Sequence, residues 1–291
     1  MKVETDRDYG AWRDAKLAAY PRHIDDVRVR IADLAAPTRE EMAAVVDACR
    51  RCGLAIYDSS PAADGDSART GLRRFAAAFG LGAIESHRSA GSDGIVAIEV
   101  TEADGKKGFI PYTNKSLNWH TDGYYNARED AIHGMILHCV RPAAAGGVNA
   151  LLDPEIVYIR LRDEDPRLLA AMMHPEAMTI PESVEEDGRV RPTSTGPVFA
   201  FDPEDGSLSM RYTARARNVI WRDDPDTRAA VAFLDRLLAK EQEPLILRHR
   251  LEAGQGLISN NILHTRTAFE NGAGAARLLL RGRYGRRVAG T

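Results

Sequence analysis

Cysteine is scarce: three residues in 291, an odd number, which argues against a disulfide scaffold and fits a reducing, cytoplasmic setting. Long apolar runs are missing too. None approaches the roughly 20 residues that a membrane helix needs, and Met1 to Ala19 carries charges throughout, unlike a secretory leader. Nor is there a basic excess. The 39 Lys and Arg face 42 Asp and Glu, a formal net charge of −3, which argues against a protein that grips nucleic acid. No repeat of fixed period and no low-complexity linker interrupts the chain. What is present is 44% hydrophobic and 28% charged residues, the composition of a packed core rather than a disordered chain. At roughly 150 residues per domain the length allows two domains, but a barrel with insertions also reaches it.

The chain divides into short elements. Thr38 to Cys52 reads as a helix with a Thr38/Glu41 capping box and Gly53 as its left-handed stop. Leu54 to Tyr57 follows as a strand, and Leu72 to Phe79 as a second helix ending at Gly80. Ile95 to Val100 alternates weakly. Ala131 to Val140 is apolar on both faces, as for a strand inside a sandwich. Asp153-Pro154, Asp165-Pro166 and Asp224-Pro225 each read as an N-cap followed by proline at the first helical position. The last opens an apolar stripe of Ala230, Phe233, Leu234, Leu237 and Leu238. Val198 to Asp202 and Ser207 to Tyr212 flank a turn and form a hairpin. Leu245 to Leu251, Gly256 to Ser259 and Arg277 to Tyr284 complete the strands, and the polar stretch 181–196 reads as a mobile loop. The simplest account is a single domain over residues 1–291, mainly β with helical insertions (α+β), a sandwich or barrel.

The chemistry gathers in Asn118-Trp119-His120-Thr121-Asp122-Gly123. On an extended segment residues i and i+2 share a face, about 6.6 Å apart, so the His120 imidazole and the Asp122 carboxylate can converge on one ion. That mixed nitrogen/oxygen set suits iron, zinc or manganese. Alone the pair also fits a polar turn with a surface histidine. His264, just after the strand opened by Gly254-Gln255-Gly256, supplies a third donor. Two histidines and a carboxylate form a facial triad, leaving three octahedral positions for a bidentate co-substrate and dioxygen, although a hydrolytic zinc site would tolerate the same ligands. Arg277 shares a strand face with Leu279 and Arg281. An inward arginine among leucines requires an anion, whether a bound carboxylate or a salt bridge to a neighbouring strand.

Taken together, His120-Thr121-Asp122, the Gly146-Gly147 turn, His264 with Arg266 behind it, and Arg277-x-x-x-Arg281 resemble the taurine dioxygenase (TauD/TfdA-like) family of Fe(II)- and 2-oxoglutarate-dependent oxygenases. The resemblance implies a double-stranded β-helix (jelly roll) core, with an N-terminal helical and strand portion (about 1–90) packed on it. It implies Fe(II) held by His120, Asp122 and His264, with 2-oxoglutarate chelating the metal and Arg277 clamping its far carboxylate. Asn149 stands where the family usually has Thr, and its amide can donate to the same carboxylate. No catalytic group beyond the ligands is implied. Asp122 argues against halogenation, because related halogenases lack this carboxylate. The expected reaction is hydroxylation of an unactivated C–H of a small anionic or zwitterionic molecule (a sulfonate, carboxylate or amino acid), with release of succinate and CO2.

Arg281 matches the position that holds a sulfonate in the taurine enzyme, and Tyr124, Trp119 and Arg211 are further candidates for substrate contact. The aromatics leave open a betaine or trimethylammonium hydroxylase with an aromatic cage. A sensor that binds metal and 2-oxoglutarate without catalysis and a zinc hydrolase are the readings from other classes. His87, near a substrate-contacting histidine of the taurine enzyme, is a looser candidate. Cys49-x-x-Cys52 lacks the preceding strand of a thioredoxin-like motif, and His138, Cys139 and His249 read as structural. The expected partners are the small-molecule substrate, 2-oxoglutarate and O2, without nucleic acid or membrane and with homo-oligomerisation left open.

Overall fold

The computed structural model describes residues 6–62, 64–82, 93–101, 110–184, 188–215, 217, 219–240, 243–272 and 276–291. Two sheets make the core. The larger has six strands, in the order Arg28–Arg30, Leu54–Asp58, Gln255–Ser259, Gly134–Arg141, Leu278–Tyr284 and Val96–Ile98. Its first pair is parallel and the remainder antiparallel. The smaller sheet is wholly antiparallel, in the order Leu247–His249, Asn149–Leu152, Leu263–Arg266 and Leu117–His120. From Gly134 onward chain order alternates between the two, except that Asn149–Leu152 and Leu247–His249 both lie in the smaller sheet with no strand of the larger between them. Gly134–Arg141 lies in the larger, Asn149–Leu152 in the smaller, Gln255–Ser259 in the larger, Leu263–Arg266 in the smaller and Leu278–Tyr284 in the larger. That winding is the jelly roll that the family resemblance implied.

Local chemistry accounts for the elements. Leu54–Asp58 and Gly134–Arg141 are apolar along almost their whole length because helices or the opposing sheet cover both faces. The Thr38/Glu41 capping box forms, and Gly53 closes the helix Arg39–Cys52 at φ +73°. Asp153, Asp165 and Asp224 each cap a helix through the side chain, ahead of proline. One buried cluster runs from Tyr9 to Val288.

Several elements differ from the sequence reading. The second helix spans Gly65–Ala78 and starts about two turns earlier than expected. Asp64 caps it by accepting from the Ser67 N–H, and Ala68, Leu72, Phe75 and Ala76 form its buried stripe, so Gly65 and Gly71 do not interrupt it. Asp6–Ala19 is helical despite its charges. Lys16 is buried there between Asp153 (2.7 Å) and Glu155 (2.5 Å), which ties the helix to the core. The expected strand from Ala131 begins only at Gly134, and Arg277 stands just outside Leu278–Tyr284. Segment 181–196 is not simply a loop: Ser183–Val184 pairs with Val190–Arg191, and Ser194–Gly196 with Met178–Ile180. His87 lies outside the described residues.

Candidate active site

His120 ends its strand and His264 sits in the adjacent one, directly opposite in register. The pairing brings the two rings to a centroid distance of 4.3 Å. Each ring is oriented by the carbonyl two residues back: His120 Nδ1 lies 2.8 Å from Asn118 O, and His264 Nδ1 2.9 Å from Ile262 O. A carbonyl can only accept, so both Nδ1 atoms carry the proton and both Nε2 atoms present a lone pair. Burial and the neighbouring His264 ring depress His120 to about 3, against the opposing pull of Asp122. Burial likewise holds His264 below its ordinary value. Both are neutral at pH 7, as metal ligation requires.

Asp122 completes the group: one donor atom from each of His120, Asp122 and His264 lies within 4.8 Å of the others. Burial alone would raise its carboxyl, but Arg281 and then Arg283, with the two histidines, hold it well below the usual carboxylate range. Arg281 Nη1 donates to Oδ1 at 3.1 Å, and Arg283 Nη1 stands 3.8 Å from the same oxygen. Oδ2 is buried without a hydrogen-bond partner among the described residues. Two neutral imidazoles and a carboxylate with an orphaned buried oxygen fit a divalent iron.

The backbone of Asp122 is held by Asn261. Its Oδ1 accepts from the Asp122 N–H (2.8 Å), and its Nδ2 donates to Asp122 O (2.9 Å) and Ile132 O (2.7 Å). Asn261 is the one non-glycine residue at positive φ (51°) among the described residues, in the turn between the strands Gln255–Ser259 and Leu263–Arg266. Asparagine tolerates that conformation better than most residues. The next residue along the Asp122 loop, Gly123, has φ +68°, and a Cβ there would meet Ile132 Cγ1 at 2.5 Å.

The other expected site residues fall in different places. Arg277 is 5% exposed, with its guanidinium 4.8 Å from the Phe269 ring, and no carboxylate among the described residues pairs with it. Burial lowers it to about 10, as for a cation lacking its anion. Asn149 is buried, and its Nδ2 donates to His249 O at 3.4 Å. A cavity of about 850 Å³ opens beside the triad, and Tyr124 and Arg281 line it with His120 and Asp122. Trp119 and Arg211 are not among its lining residues. The Trp119 indole donates to Leu238 O (3.1 Å), while Arg211 donates to Met178 O (3.0 Å) and to Ser194 O (2.8 Å) and Oγ (3.1 Å). Both are committed to structure. Tyr125, one of the aromatics that gather near the ligands in sequence, belongs to this neighbourhood, as do Asn261, Arg283 and Arg191, which were not singled out from the sequence. Period-two spacing from Arg281 already places Arg283 on the Arg277 face; Asn261 and Arg191 carry no local signal of their position.

The Cys49-x-x-Cys52 pair is inert here. Both thiols are free and buried, and burial raises Cys49 well above its ordinary value and Cys52 to about 12. His138 is in the core, with Nδ1 3.1 Å from the Tyr57 hydroxyl, and His249 Nε2 meets Gln255 Oε1 at 2.9 Å. No helix among the described residues is long and apolar enough to cross a membrane.

Fold and site together define a jelly-roll protein with a two-histidine, one-carboxylate metal centre. The chain belongs to the taurine catabolism dioxygenase TauD, TfdA family, a family of iron- and 2-oxoglutarate-dependent dioxygenases, whose model matches residues 16–283. Among curated proteins it is 33% identical over 195 residues to a uridine-5'-phosphate dioxygenase of a Streptomyces species (62% of this chain, 66% of that protein). A protein of the same name from an Amycolatopsis species is 30% identical over 170 residues (57% and 60%). The chain thus spans just under two thirds of the length of these relatives. Among solved structures it is similar to the non-haem iron oxygenase OrfP in complex with iron, succinate and (3S)-hydroxy-L-arginine, with a TM-score of 0.61 at 14% identity (86% of this chain, 81% of that one).

Proposed function

We propose that the chain is a 2-oxoglutarate-dependent oxygenase that hydroxylates an unactivated C–H of a small anionic molecule. By the likeness to the two uridine-5'-phosphate dioxygenases, a nucleoside 5'-monophosphate is the substrate we favour. The observation that carries the reading is the buried donor set of His120, Asp122 and His264, its Nε2 atoms and Asp122 Oδ2 unengaged among the described residues, beside a cavity whose described lining carries five arginines against three carboxylates. Iron with 2-oxoglutarate and dioxygen supplies the oxidising power, so that substrate, O2 and 2-oxoglutarate give hydroxylated product, succinate and CO2.

The residues of this chain do the remainder. His120, Asp122 and His264 hold the metal, their geometry set by Asn118 O, Ile262 O and the Arg281 and Asn261 contacts. Arg277 and Asn149 take the far carboxylate of 2-oxoglutarate; a buried guanidinium with no acid beside it among the described residues gains most from a bidentate anion. Tyr124 and Arg281 face substrate from the cavity wall. The arginine lining repels a trimethylammonium group, which disfavours the betaine reading.

Anaerobic addition of Fe(II) and 2-oxoglutarate tests the centre through the metal-to-ligand charge-transfer band. His264→Ala should abolish it, and Arg277→Ala should weaken 2-oxoglutarate binding by about 10- to 100-fold while leaving metal affinity intact. Absence of the band in the native protein would refute the assignment. Succinate formation stimulated by uridine 5'-monophosphate separates an oxygenase from a binder that only senses 2-oxoglutarate.

A further inference from the structure

We infer that Arg191, Tyr125 and Arg283 form the subsite that receives the phosphate monoester of the substrate; this rests on the anionic-substrate reading above. All three line the cavity that contains His120 and Asp122, and none is a metal ligand. Tyr125 is the hub. The Arg191 guanidinium stands 5.7 Å and that of Arg283 6.0 Å from its ring centroid, and Arg283 Nη1 donates to its hydroxyl at 3.0 Å. An aromatic face holds guanidinium planes in place without consuming their N–H donors. Tyr124 packs edge-on against Tyr125 at 5.1 Å, which fixes the ring in turn.

Arg191 carries the weight of the argument. Its Nη2 is spent on Pro181 O (3.1 Å), but Nη1 is buried without a hydrogen-bond partner among the described residues. A cationic N–H withdrawn from water and left unmatched is costly, and a dianion is the ligand that offsets the cost. A phosphate monoester is nearly dianionic at pH 7 and presents three acceptor oxygens. It can therefore engage two guanidiniums at once, whereas a single carboxylate leaves one under-used.

The carboxylates of the wall do not compete equally. Asp122 is already engaged by Arg281, while Glu129 and Asp130 are exposed at the rim. Arg191 is delivered by tertiary contacts. It lies in the short strand Val190–Arg191, and Ser194 just beyond it donates to Asn126 O at 2.8 Å, next to Tyr125 in the chain. Arg211 clamps Ser194 from the other side, so Arg211 acts here as a positioning residue.

The test is calorimetric binding under nitrogen to the full chain loaded with Mn(II) and 2-oxoglutarate, with uridine 5'-monophosphate, uridine and inorganic phosphate as probes. Arg191→Ala should weaken uridine 5'-monophosphate and inorganic phosphate by about 10- to 100-fold and leave uridine unchanged. Arg191→Gln, which keeps a donor for Pro181 O but removes the charge, should show the same selective loss and guards against local misfolding. Equal binding of the monophosphate by native and variant proteins, or an equal loss for uridine, would overturn the subsite. Because binding is read without turnover, the two proposals separate. A monophosphate that binds through Arg191 but yields no succinate with Fe(II) and O2 sinks the oxygenation of that substrate and leaves the subsite standing. One that is turned over yet binds Arg191→Ala normally does the reverse.

Discussion

Asn261 offers the most quantitative check on how the metal centre is built. Its side chain makes three hydrogen bonds, all to the backbone of the segment carrying Asp122 or to Ile132 beside it, and the residue is 6% exposed. At about 1 kcal/mol net for each bond, Asn261→Gly should cost about 3 kcal/mol, and slightly more for the added freedom of the unfolded chain. Asn261→Ala loses the same bonds and must also hold an alanine at φ 51°, a conformation that costs a Cβ-bearing residue about 1–2 kcal/mol. Alanine should therefore be the worse variant, by about 1 kcal/mol after the entropic difference. At about 2–4 °C per kcal/mol for a chain of this size, thermal unfolding of metal-free protein should fall by about 6–12 °C for glycine and a few degrees more for alanine. Because Asp122 is then less well placed, metal affinity should drop by about 10- to 100-fold in both, measured by Co(II) titration under conditions where each variant is folded. Native-like metal affinity in a destabilised Asn261→Gly would refute the positioning role, and native-like stability would refute the hydrogen-bond accounting.

Two further perturbations probe the frame around the site. His138 is depressed to about 4 by burial, whereas an unfolded histidine titrates near 6.5. Below about 6.5 the unfolded chain therefore takes up a proton that the native state refuses; this stability is complete above 6.5, declines as pH falls and is gone by about 4. Urea unfolding at pH 7.5 and 5.0 should show about 2 kcal/mol lost from this group, and a smaller loss in His138→Gln; an identical pH slope in the variant would refute it. Lys16→Met leaves Asp153 and Glu155 without their buried cation, so it should destabilise by about 3–5 kcal/mol. A thermal shift under 3 °C would show that the pair is instead relieved by water.

Legibility from the sequence followed the range of the physics. Helix caps are local: the oxygen of Thr38, Asp153, Asp165 or Asp224 and the N–H it accepts from lie within three residues, so those starts were readable. The helix at Gly65 was misread because two glycines look like breakers, while the compensating burial of Leu72 and Phe75 is non-local. His120 and Asp122 could be paired because i and i+2 share a face on an extended chain. His264 joined them through motif order, and its placement opposite His120 is a matter of strand register. Trp119 and Arg211 illustrate the converse: Trp119 was a candidate because it adjoins a ligand in sequence and Arg211 because it adjoins Tyr212, but each side chain finds a backbone carbonyl instead of the cavity.

The residue pattern by itself determined a mainly β sandwich or barrel, the donor set of two histidines and a carboxylate, and the need for an anion beside Arg277, because donor chemistry, period-two spacing and caps are properties of short stretches; the jelly roll followed from the family resemblance. Only the tertiary structure decided what each arginine faces. Arg281 and Arg283 sit two residues apart on one strand face. The first meets the carboxylate of Asp122 and the second the hydroxyl of Tyr125, while Arg191 arrives at the same ring from a separate hairpin. A guanidinium becomes a structural tie, a metal-ligand anchor or an anion receptor according to which acceptors burial leaves within reach, and those are set by the folding of segments distant along the chain.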